Sequence, residues 1–132
     1  MSVETELVSQ LTGDSTVSGL VSSRVYPLLA PQGATLPCVV YEMTAHETIN
    51  STSGAGSTRH AQVEVLCLDD SYGGTKTLAD AVRDALNGWT VSDSVTVSSC
   101  LLTSESDGFV QPNDDSEQPV YLITQEYSIW FS

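Results

Sequence analysis

Residues 38–68 read CVVYEMTAHETINSTSGAGSTRHAQVEVLCL. Two runs rich in Val, Tyr and Leu flank a polar, glycine-bearing centre, the pattern of a β-hairpin. In the first run, 38–46, Val39, Tyr41 and Met43 share one face and Val40 and Glu42 the other, since strand side chains alternate. In the second, 59–68, Ala61, Val63, Val65 and Cys67 alternate with Gln62, Glu64, Leu66 and Leu68. Leu66 and Leu68 are apolar on the nominally wet face, so that face is expected to be covered toward the strand's end. The span 47–58 holds almost nothing apolar and predicts a mobile loop, of a length that is usually functional or disordered.

On the N-terminal side, Pro27, Pro31 and Pro37 forbid a helix between the first elements and the hairpin. Val25 and Tyr26 predict a brief strand, and 28–36 an extended, ordered loop. Residues 2–12 read as a helix, with Val3, Leu7 and Leu11 on one stripe, Ser2 as cap and Gly13 as stop. One or two helical turns follow at 17–21, capped by Asp14 or Ser15.

On the C-terminal side, 75–87 is the clearest helix, with Leu78, Val82, Ala85 and Leu86 inward and Gly88 as stop. Trp89 is expected to fold back on that stripe. A third long strand is predicted at 95–102 and a second polar loop at 103–119, with Glu105, Asp107, Asp114, Asp115 and Glu117 and no base. The last strand, 120–131, sets Tyr121, Ile123, Tyr127, Ile129 and Phe131 on one face and Trp130 on the other. The expected fold is α+β, a single domain over 1–132. It comprises a mostly antiparallel four- to five-stranded sheet with two helices packed on one face, and long polar loops.

Composition narrows the function. The 132 residues include 19 Ser and 14 Thr, and 17 acids stand against Arg24, Arg59, Lys76 and Arg83, for a net charge of −13. Such a charge opposes tight nucleic-acid binding, which rests on phosphate neutralisation by Lys and Arg, and opposes an anionic membrane surface. No apolar run approaches the roughly 20 residues of a membrane span. The first residues carry acids where a secretion signal needs positive charge, so no signal is expected.

The usual catalytic patterns are incomplete. Cys38, Cys67 and Cys100 are scattered and read as buried reduced thiols. His46 and His60 could be neighbours across the hairpin, but with one cysteine they fall short of the four ligands of a structural zinc site. The segment Gly54–Ala55–Gly56 lacks the lysine and following helix of a phosphate loop, and no GxSxG is present. No catalytic residue, metal or cofactor is expected. Ordered irregular structure and long polar loops instead suit a subunit of an assembly.

Arg24–Val25–Tyr26–Pro27, then Ala30–Pro31–Gln32–Gly33, Leu36–Pro37 and Val39–Val40–Tyr41–Glu42, form a pattern of their own. With the leading helix, the Gln62–Val65 strand, the helix ending at Gly88 and the closing Trp130–Phe131, this order resembles the tail-completion or tail-terminator family of long-tailed bacteriophages, which joins tail to head. Cys38 departs from the aromatic residue common after the Leu–Pro of that family.

The resemblance implies a virion structural protein without catalysis, assembled in the host cell. It implies a hexameric ring that caps the tail tube protein and meets a head-completion or connector protein. DNA passes through without specific binding, and no membrane is involved. The candidate interface residues are Arg24, Tyr26, Pro27, Leu66, Leu68 and Trp130, with Glu42 or Glu64 as the alternative, intramolecular partner of Arg24. A monomeric α+β binding module is the competing class, and an enzyme the third.

Overall fold

The computed structural model describes residues 3–31, 34–48, 58–92, 95–110 and 119–132. Helices α1 (Val3–Gly13) and α2 (Ser15–Val21) lead into strands β1 (Val25–Pro27), β2 (Cys38–Thr48) and β3 (Arg59–Asp69). Helix α3 (Tyr72–Leu86) and strands β4 (Val91–Ser92), β5 (Thr96–Val110) and β6 (Val120–Phe131) follow. The strands form one sheet in the order β1-β2-β3-β6-β5-β4. β1 runs parallel to β2, and every other pair is antiparallel.

The helices start where local chemistry satisfies their free N–H groups. Asp14 accepts hydrogen bonds from the Thr16 and Val17 amides at 3.0 Å and begins α2. Ser71 does the same for α3 through the Gly74 amide at 3.1 Å. A Cβ at Gly74 would displace the Asp69 carboxylate and the Ser71 hydroxyl that caps the helix.

One face of the sheet carries Val39, Val63, Val65, Cys67, Val97, Cys100, Ile123, Tyr127 and Ile129. These join Leu7, Leu11, Val17, Val21, Leu78, Val82 and Leu86 of the helices in one core. Trp89 folds into it, 7% exposed. Gln125 interrupts the apolar row of β6 yet is wholly buried. Its Nε2 donates to the Ala79 carbonyl of α3 at 2.9 Å and to Glu105 Oε2 of β5 at 2.8 Å. Its Oε1 accepts from the Tyr127 hydroxyl at 2.7 Å.

The expected four- to five-stranded sheet with two helices is corrected in three respects. The sheet has six strands, because the two-residue β4 adds to the start of β5 and the short β1 pairs fully. A third helix stands on the Asp14 cap. The β1–β2 pair is parallel, since the proline-bearing connection returns the chain to the same end of the sheet. The expected polar loop at 103–119 is also corrected. Thr103 to Val110 continue β5, paired with Val120 to Glu126. Glu47 and Thr48 likewise belong to β2. The rest of the two expected loops, 49–57 and 111–118, lies outside the described residues.

Tyr127→Phe leaves the buried Gln125 carbonyl oxygen without its donor and is expected to cost about 1–3 kcal/mol, the penalty for an unsatisfied buried polar group. Urea unfolding measures it, and pairing the change with Gln125→Leu should recover part of the loss.

Candidate assembly interface

The sheet face opposite the helices is read from its registers. In one row across four strands lie Tyr26, Val40, Leu66 and Thr124. The next row outward holds Cys38, Leu68 and Leu122. Tyr26, Leu66, Leu68 and Leu122 are half-buried, while Val40 and Cys38 are buried. This end of the face is therefore apolar, and only partly covered where the strand pattern predicts cover.

Toward the other end, Glu42, Glu64 and Glu126 stand directly opposite one another on three adjacent strands. Like charges so placed destabilise a sheet. The Ser104 hydroxyl relieves Glu126 with a 3.4 Å hydrogen bond. Beyond them His60 bridges three strands: its Nδ1–H donates to Glu47 Oε1 at 2.9 Å and Nε2 meets Ser128 Oγ at 2.6 Å. Trp130 lies against the His60 ring, centroids 4.4 Å apart, and remains 37% exposed.

The structure thus brings Tyr26, Leu66 and Leu68 together on one end of this face. Trp130 shares the face but sits at the far end, beyond the glutamate row. Pro27 is exposed at the end of β1. Arg24 does not pair with Glu42 or Glu64. Its guanidinium donates to the carbonyls of Pro37 at 3.0 Å and Leu20 at 3.2 Å, tying α2 to the start of β2.

Sequence reasoning missed the most exposed apolar residues, Leu28 and Leu29 at 69% and 71%, and also Leu101, Phe109 and Tyr72. The adjacent leucines between prolines were a usable signal for the first two. Leu101 lies diagonally from Trp130 on the helix-free face, and Phe109 sits in the stretch taken for loop.

At the start of α3, Tyr72 donates to Asp107 Oδ2 at 2.6 Å and Lys76 lies 3.5 Å from Asp107 Oδ1. The Tyr72 hydrogen bond first, and then Lys76, hold the Asp107 carboxyl below the usual range. Lys76 is raised in turn, first by its own hydrogen bond to Tyr72 and then by the Asp107 charge.

Burial raises all three thiols, Cys100 to about 12, which keeps them protonated. His46 pairs with Ala61 and faces the helix side, whereas His60 faces away, so the two rings cannot share a ligand. Among the described residues no group of three or more His, Cys, Asp or Glu is placed to hold a metal ion.

The sequence pattern of the family described as Tail completion protein gp17 matches residues 5–132. The chain belongs to that family. This tail completion protein is a structural component of the virion, at the tail and neck. No curated protein sequence matches it. Among solved structures, a chain of the virion of a native gene transfer agent particle is similar at a TM-score of 0.60 and 17% identity. That likeness covers 96% of this chain and 92% of the other, and shows a shared fold.

Trp130→Ser is expected to cost less than the about 3–5 kcal/mol of a large core truncation, since the ring lies outside the core, and urea unfolding tests this. In Tyr72→Phe the Asp107 carboxyl should titrate at higher pH than in the wild type, followed by NMR. Because folding depresses its pKa, Asp107 supports the fold above the ordinary carboxylate range, and that support fades as pH falls through the lowered value.

Proposed function

We propose that this tail completion protein caps the finished tail tube as a six-subunit ring, ends its polymerisation and presents a surface to the head connector. The match of the family over residues 5–132 carries this reading. The helix-free sheet face supports it: half-buried Tyr26, Leu66 and Leu68 at one end and exposed Trp130 and Leu101 at the other are apolar surface for protein contacts. Leu28 and Leu29, held beside β2 by the hydrogen bond that the Leu28 N–H donates to the Tyr41 carbonyl, add a further exposed pair next to the proline segment.

The reading includes no chemistry on a substrate: the thiols are protonated and the two imidazoles are apart. It also leaves DNA unbound. Each subunit carries a net charge of −13, so the ring offers phosphate no net attraction and the genome slides past without being gripped.

A phage lacking this protein is expected to make heads and tails that fail to join, and to resume joining when purified protein is added. Normal joined virions in its absence would overturn the reading. Trp130→Ser should fold but complete fewer tails, and electron micrographs of lysates count both species.

A further inference from the structure

The two flanks of the sheet are each only half covered. β1 pairs with Val39, Val40 and Tyr41, and the Leu28 amide closes on the Tyr41 carbonyl. Leu28 then adopts a φ of +68°, turning the chain away. Past Tyr41, among the described residues, no strand pairs with β2 on that side. On the opposite flank, β4 pairs with Thr96 and Val97, Gly88 donates to the Cys100 carbonyl and the Leu102 amide donates to Asn87. Past Leu102, among the described residues, β5 also has no partner strand on its outer side. Both free halves are long, and each lies at a register break with its inner neighbour, Met43/Ala45 in β2 and Leu102/Ser104 in β5. Edges of this kind invite pairing.

Their charges decide with what. On β2 the acids Glu42 and Glu47 lie on the helix-free face, while the helix side shows Met43, His46 and Thr48. On β5 the acids Glu105 and Asp107 lie on the helix side with Phe109, while the helix-free face shows Ser104, Ser106 and Gly108. Pairing β2 with β2, or β5 with β5, to continue the sheet sets carboxylates beside carboxylates on one face. Pairing β2 of one copy with β5 of the next, helices on the same side, sets no acid against another. It brings His46 beside Glu105 and Asp107, and the glutamates beside serines and glycine. The two strands also run antiparallel when copies stand side by side, because β2, β3, β6 and β5 alternate in direction.

We infer that the free edge of β2 in one subunit pairs with the free edge of β5 in the next, making the heterologous joint that a closed ring requires. The inference rests on the ring reading above and supplies its contact. The free half of β2 lies level with residues 97–104 of β5 in the same chain, so joining the free halves needs a slip of about five residues, about 17 Å. Across four strand spacings of about 4.8 Å this is a tilt of about 40°. That falls within the roughly 35–45° by which strands tilt when a sheet closes on itself. The slip also carries the covered halves past one another, so β1 and β4 do not collide with the added strand.

Paired cysteines test the joint. Ala45→Cys and Ser106→Cys lie on the helix-free face of the two free edges, and the native thiols are buried. With a short thiol-to-thiol crosslinker, the double variant in assembled tails should give a ladder from dimer upward, and each single variant none. Crosslinked dimers from either single variant would overturn the inference in favour of like-edge pairing. No ladder from double-variant tails that still carry the ring by native mass would overturn the joint and leave the ring standing. Tails that are capped without this protein would remove both. A second arm uses charge: His46→Glu should lower crosslinking several-fold and His46→Lys raise it. Equal effects of the two, which lose the same ring contact with Phe131, would count against the edge pairing.

Discussion

The sheet is organised around β6, which lies between β3 and β5 and pairs with both along most of its length. A strand so placed could slip by one residue and turn every side chain to the wrong face. Gln125 prevents this. Only in the observed register does its Nε2 reach the Ala79 carbonyl and Glu105 at once, while the Tyr127 hydroxyl of the same strand satisfies its oxygen. A polar side chain with 0% exposure is tolerable only when its hydrogen bonds are made, so the two contacts to α3 and β5 hold those elements against β6. The two flanks, the glutamate row and the apolar end of the outer face inherit their positions from that register.

How much of this the sequence disclosed follows from where the apolar residues fall. The stripe of α1 and the alternation of β3 are plain, because each element has one dry and one wet side, and both occur where expected. The second half of β5 was hidden for the opposite reason. Ser104, Glu105, Ser106 and Asp107 are polar on both faces, and their strand forms because β6 supplies a hydrogen-bonding partner. Propensity does not record that partner. The parallel β1–β2 pair was equally invisible, since a three-residue strand has too few side chains to show a period.

The site was legible to the same degree. Strand alternation alone put Trp130 outside the core and Leu66 and Leu68 on the second face. It did not show that Trp130 stands at the far end from them, which depends on register. Arg24 reads as a surface charge in sequence, yet its planar donors are spent on two carbonyls and hold the chain at the start of the sheet. Its two hydrogen bonds tie α2 to the start of β2.

The row of Glu42, Glu64 and Glu126 sets the response of the fold to ionic strength. Neighbouring carboxylates about 5 Å apart repel by about 1 kcal/mol even in water. Against this, the described ion pairs of Lys and Arg are two, Lys76–Asp107 and Arg83–Asp80, both well exposed. Exposed pairs contribute little, and added salt removes that little along with the repulsion. Salt screens the repulsion along the row as well as the attraction in the pairs, so the outer face of the sheet feels ionic strength in both directions.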